Sequence, residues 1–244
     1  MSFVAALTSG LSNPARFMSV SRWLAPTLGA LAAVAILAAL AVGVNAPDDY
    51  QQGPTVKIMF IHVPAAIMSM AAYAGLAGAS FFGLVFRHAL ADAAAKACAP
   101  LGAAFTALAL VTGSLWGRPM WGAFWVWDAR LTSELVLLLL YVGYMALYAA
   151  MEDEQKGARA AAILALIGVV NLPIIHYSVV WWNSLHQGET VFAAGGSKAS
   201  AVYLLPLGLM MLGYLLLFAA LWLVRTRTEV WRRRATVQAL KAAR

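Results

Sequence analysis

The chain has 244 residues, 63% of them hydrophobic and 11% charged, with a mean hydropathy of +0.78. Soluble domains carry about 45–50% apolar and about 25% charged residues, so this composition excludes a water-soluble globular enzyme and indicates a polytopic membrane protein. The formal charge of +7 would suit nucleic acid only if it were clustered, and most of it lies at the ends of apolar runs.

A helix that crosses the bilayer needs roughly 20 mostly apolar residues. Six such runs follow one another: about 23–44, 60–86, 98–116, 131–151, 159–179 and 201–224. The first is too long for a signal-peptide core and the next follows closely, so it is expected to stay uncleaved. The expected fold is all-α, one six-helix membrane domain over residues 1–244. Ala-rich stretches such as 28–41 suit the close helix packing that small residues permit in lipid. The chain shows no internal repeat.

Orientation follows from Lys and Arg in the connections. One side collects Arg16, Arg22, Arg87, Lys96, Lys156, Arg159, Arg225, Arg227, Arg232, Arg233, Arg234, Lys241 and Arg244; the other holds Lys57, Arg118, Arg130 and Lys198. Both tails and the short connections 87–97 and 152–158 are therefore expected in the cytoplasm. The longer, more aromatic segments 45–59, 117–130 and 180–200 then face outward, which in a bacterium is the periplasm, and function is expected there.

Cysteine occurs once, at Cys98, so no intrachain disulfide and no dithiol redox pair can form. The chain has no Cys-x-x-Cys-His for covalent haem attachment and no phosphate-binding Gly-x-x-x-x-Gly-Lys-Ser/Thr loop. ATP hydrolysis, if required, belongs to another chain.

Between the third and fourth runs, residues 116–127 pack Trp116, Trp121, Trp125, Trp127 and Phe124 into twelve positions, with Arg118, Asp128 and Arg130 beside them. Flat apolar faces with a few charges suit a large, flat, amphipathic ligand such as a porphyrin. On a helix, Trp121, Trp125 and Asp128 would share one face. Gly117 and Gly122 remove bulk beside Trp116 and Trp121, which lets a planar molecule approach the backbone. Asp128 can pair with Arg130 or Arg118, or an arginine can engage a propionate through its guanidinium fork. A plain interfacial aromatic belt would also place Trp here, but a belt needs neither repeated Trp-Gly nor an acid within the cluster. Ser133 and Glu134 are expected to serve the start of the fourth helix, where the helix dipole favours an acid.

Four histidines occur. His88, next to Arg87 at a cytoplasmic helix end, reads as structural. His62 begins the second span, and His186 follows the fifth just beyond Trp181 and Trp182. At one depth beside an aromatic shelf, two neutral imidazoles can supply axial ligands to a haem iron; the bland alternative is anchoring at headgroups. His176 lies ten residues before His186, about 15 Å along a helix, so the two cannot exchange one coordination position. His176 has a ready structural role near Pro173, whose ring removes a helix hydrogen bond.

The string Trp121-Gly122-Ala123-Phe124-Trp125-Val126-Trp127-Asp128 resembles the W-G-x-x-W-x-W-D signature of the haem-handling proteins of cytochrome c maturation. With six spans and this length, the chain resembles the CcmC family rather than CcmF or the system II synthase, which have more spans and larger outer domains. Phe60-Ile61-His62-Val63-Pro64 and residues 181–188 carry the same resemblance, which covers roughly 48–190. It implies a non-enzymatic carrier of the bacterial inner membrane. Such a protein holds haem b at the periplasmic surface through His62 and His186, with the Trp motif cradling the ring. Trp116, Trp121, Gly122, Trp125, Trp127, Asp128, Arg118 and Arg130 are then the expected contacts around it. It also implies delivery to the haem chaperone CcmE and association with CcmA, CcmB and CcmD, the first two forming an ATP-hydrolysing transporter pair. Two rival classes differ from this. A cytochrome b-type quinone oxidoreductase subunit would place histidine pairs deep inside facing spans, and a ligand-free transporter scaffold would need no histidine pair.

Overall fold

A computed structural model describes residues 13–182, 184–186 and 200–243. Among these, seven α-helices occur: α1 Pro14–Val44, α2 Met59–Val85, α3 Ala89–Trp121, α4 Ala129–Ala150, α5 Glu154–Gly168, α6 Asn171–Trp181 and α7 Ala201–Ala242. They make six spans long and apolar enough to cross a membrane, because α5 and α6 together form one of them. No β-strand occurs among the described residues, so the six-span, all-α expectation holds. Lys198, Arg244, Asn183, Gln187 and Gly188 lie outside the described residues.

Lipid offers no hydrophobic gain for pressing two apolar helices together, so close backbone approach and internal hydrogen bonds decide the packing. α1 meets α7 through a stripe of buried small residues, Ala25, Ala32, Ala35, Ala39 and Gly43. α2 packs chiefly on α3, and α4 on α5 and α6. Where these helices meet, five tyrosines fill the core: Tyr73, Tyr141, Tyr144, Tyr148 and Tyr214. The ring of Tyr141 lies over Gly102, and its hydroxyl donates to the Ser69 carbonyl at 2.8 Å. The Tyr73 ring meets it edge-on, centroids 5.1 Å apart, and its hydroxyl end lies against Gly168.

Two boundaries depart from the sequence expectation. The fifth span is broken after Gly168, and Asn171 restarts it by donating from Nδ2 to the Ser133 carbonyl at 2.9 Å. Both halves are apolar, so hydropathy alone reads straight through the break. The third helix continues past Trp116 to Trp121 in spite of Pro119. Pro119 removes one amide donor from the last turn, yet the helix runs on to Trp121, and Gly122, with φ of 77°, closes it in the left-handed conformation that favours glycine.

At the His62 end, residues 45–53 fold back through an Asp49–Gly53 bridge into a 3₁₀ turn, Pro54–Ile58. Val56, Met59, Phe60, Tyr203 and Leu207 bury this connection against the ends of α2 and α7. At the opposite end, α7 runs on through the basic tail, and Arg227 ties it to α1 by donating to the Met18 carbonyl and Ser21 Oγ.

A methyl added at Gly102 would fall inside the Tyr141 ring, and overpacking of a filled core costs about 1–3 kcal/mol. Gly102→Ala is expected to lower the thermal midpoint in detergent by that equivalent, and Gly102→Ala/Tyr141→Leu to recover part of it. An unchanged midpoint in Gly102→Ala would contradict this packing.

Candidate haem site

His62 sits in the first turn of α2, and Pro64 two residues later leaves that turn short of one amide donor. Its Nδ1 lies 3.0 Å from the Ala109 carbonyl and 3.2 Å from Thr112 Oγ1 on α3. A carbonyl only accepts, so Nδ1 carries the proton and Nε2 keeps its lone pair. This is the arrangement by which outer partners fix the tautomer of a metal-binding imidazole. The Trp116 ring meets His62 edge-on at 5.8 Å, interplanar angle 74°, and Trp116 Nε1 donates to Gln52 Oε1 at 2.9 Å.

His186 comes from the segment after α6, yet its ring centroid lies 6.3 Å from that of His62, with 39° between the planes. Trp121 flanks it at 6.2 Å. The residue that places this segment is Asp128. It caps α4 by accepting from the Leu131 amide at 2.8 Å, and it also accepts from the Ser184 hydroxyl. Ser184 Oγ in turn accepts from the His186 amide at 3.0 Å. One carboxylate thus starts a helix and clasps the histidine loop.

His62 and His186 both line a half-open cavity of about 90 Å³. Its lining includes His62, His186, Trp116, Trp121, Arg130 and Glu134, and it is mostly apolar. Two metal–nitrogen bonds of about 2 Å each, plus about 1 Å from nitrogen to ring centre on either side, amount to about 6 Å. The observed centroid separation of 6.3 Å matches that length.

The structure brings only part of the predicted set to this cavity. His62, His186, Trp116, Trp121 and Arg130 line it. Gly122 is the cap of α3, and Arg118 donates to the Gly122 carbonyl and lies over the Phe124 ring at 5.3 Å. Trp125 and Trp127 pack edge-on against each other, centroids 5.3 Å apart, outside the lining. Trp127 is 77% exposed. The expected single face of Trp121, Trp125 and Asp128 does not form, because the helix ends at Trp121 and residues 122–128 are irregular. Arg130 donates to the Ile175 carbonyl at 2.8 Å. His176 is exposed with its ring against Tyr177, away from the lining, and His88 caps α3 by accepting from the Ala91 amide.

Three features escaped the sequence reading. Glu134 does not serve the helix start. It is buried, lines the cavity and accepts from Ser69 Oγ at 2.7 Å. An acid within an apolar run was the available signal, since buried carboxyls in a membrane are costly and rarely idle. Gly113 leaves room for the His62 ring, whose Cε1 would lie 2.9 Å from an added Cβ. Gln52 comes from the folded outer connection, which no residue-type pattern marks.

Comparison with known proteins gives the family. The family described as Heme exporter protein C matches residues 7–241. The chain belongs to this family. It is 53% identical over 235 residues to Heme exporter protein C of Bradyrhizobium diazoefficiens, covering 96% of this chain and 89% of the relative. It is 52% identical over 221 residues to the Escherichia coli K12 protein of that name, covering 90% and 89%. The Paracoccus denitrificans protein is 47% identical over 224 residues, covering 91% and 93%.

In this member of the Heme exporter protein C family, Gly113→Val is expected to push the His62 ring off its Ala109 contact while leaving the fold intact. Titration of purified protein with haem should then show at least tenfold weaker binding than wild type. Equal binding would remove Gly113 from the account of the site.

Proposed function

We propose that this chain holds haem b as transient cargo at the periplasmic surface of the bacterial inner membrane. His62 and His186 are its axial ligands, and the chain presents it to the haem chaperone CcmE during cytochrome c maturation. Family membership supports haem handling. The observation that carries the ligand assignment is the pair of imidazoles 6.3 Å apart, one with its tautomer set by the Ala109 carbonyl.

Haem supplies the iron and the flat apolar surface; this chain's residues bind, orient and exclude water. Trp116 and Trp121 offer indole faces, and burying apolar area against them is worth about 25 cal/mol per Å². Arg130, at the rim of α4, is placed to meet a carboxylate. Phe124 and Trp127, both exposed, would be the contacts offered to the chaperone that receives the ring. Any contribution to the covalent step on the chaperone is positional, so the chain acts as a carrier and not as an enzyme. The lack of a phosphate-binding loop fits a complex in which CcmA and CcmB hydrolyse ATP and CcmD completes the assembly.

The test is haem retention and ligation in purified variants. Wild type is expected to copurify with haem showing bis-histidine absorption. His62→Ala and His186→Ala should each change that spectrum, and the double variant should lose the haem. The Trp127→Ala variant should keep the ligation spectrum but transfer haem to the chaperone more slowly. Identical ligation in wild type and His186→Ala would overturn the axial assignment.

A further inference from the structure

At the end of the bundle opposite the histidines, a second cavity of about 510 Å³ opens between the α2–α3 turn and the start of α5. Arg87, His88, Asp92, Glu154, Arg159 and Arg233 are among its lining residues. The carboxylates there are already satisfied. Asp92 accepts from Arg233 at 2.6 Å and from the Tyr148 hydroxyl at 3.0 Å, and Glu154 accepts from Lys96 at 3.2 Å and Arg232 at 2.8 Å. Arg87 and Arg159, by contrast, have no ion pair among the described residues. Both are exposed and both line the cavity.

Arg87 is held with φ of 52°, the one non-glycine residue with positive φ among those described. An arginine strained into this turn, where glycine would fit more easily, points to a use for its side chain. Apolar side chains next to lining residues along α2 and α5 are exposed. Phe82 and Phe86 are 51% and 62% exposed, and Ile163 and Ile167, one and two turns beyond Arg159 on the same face of α5, are 50% and 65% exposed. A cationic cavity at the level of a helix end, bordered by exposed apolar rings, matches a phospholipid in both of its parts.

We infer that Arg87 and Arg159 bind the phosphate of an anionic phospholipid of the cytoplasmic leaflet, with its acyl chains lying along Phe82, Phe86, Ile163 and Ile167. The leaflet follows from the Lys/Arg distribution, which puts this end inside, where anionic lipids attract basic pockets between helices. This site is independent of the haem reading.

Delipidated protein in a zwitterionic detergent would be titrated with phosphatidylglycerol or phosphatidylcholine and followed by native mass spectrometry. Phosphatidylglycerol is expected to bind at least tenfold more tightly. In Arg87→Gly/Arg159→Gln that preference should disappear, while the thermal midpoint without lipid is maintained because glycine relieves the turn. Arg159→Gln alone, away from the strained residue, should weaken phosphatidylglycerol binding at least threefold. Neither inorganic phosphate nor glycerol phosphate at millimolar concentration should displace the lipid. Equal binding of the two lipids, or an unchanged preference in the double variant, would overturn the inference. Displacement by inorganic phosphate would overturn the lipid assignment in favour of a soluble anion.

Discussion

One hydrogen bond organises the histidine end of this bundle: His62 Nδ1 donating to the Ala109 carbonyl across the α2–α3 contact. It selects the tautomer, holds the ring and leaves Nε2 unprotonated for a metal. The bond can form only because Gly113, one turn on, leaves room for the imidazole. The segment of the opposite imidazole is joined to the α4 cap through the Asp128–Ser184 clasp. The proposed ligand assignment rests on this pair of imidazoles, one brought by a helix and one by the segment after α6.

The membrane interior supports that arrangement with few apolar devices. Glycines at 102 and 168 admit tyrosine rings, and Asn171 ties the broken fifth span to α4. Buried polar groups in lipid must find partners within the protein, and these bonds lock α2, α3, α4 and α6 together beneath the site. Glu134 belongs to the same layer, with Ser69 as its partner and the cavity above it. The network of Lys96, Glu154, Glu229, Arg232 and Arg233 anchors the other end, so the two ends of the bundle carry separate polar sites.

Much of this was legible before any coordinates. Six apolar runs, their charge asymmetry and the placement of His62 and His186 beside a Trp cluster follow from residue type and spacing. The break at Gly168–Asn171 lies where Pro173 cannot donate to the Val169 carbonyl, a lost bond that the sequence does mark; what was not legible are the contacts around it, the Tyr73 ring against Gly168 and the Asn171 bond to the Ser133 carbonyl, both from residues distant in sequence. The partner of His62 is a backbone carbonyl, which no residue pattern advertises. Trp125 was read onto the ligand face because a helical periodicity was extended past Gly122, and Trp127 through the motif resemblance alone; once the helix ends at Trp121, spacing no longer says where a ring points. Glu134 was given a local role that was physically adequate, and only the tertiary proximity of Ser69 revealed a different one.

The coordination of ferric haem bound to the wild-type protein tests the central claim most directly, by low-temperature electron paramagnetic resonance. Two imidazoles gripping the iron predict a six-coordinate, low-spin signal. A dominant high-spin signal from a five-coordinate or water-ligated iron, in protein carrying stoichiometric haem, would contradict it.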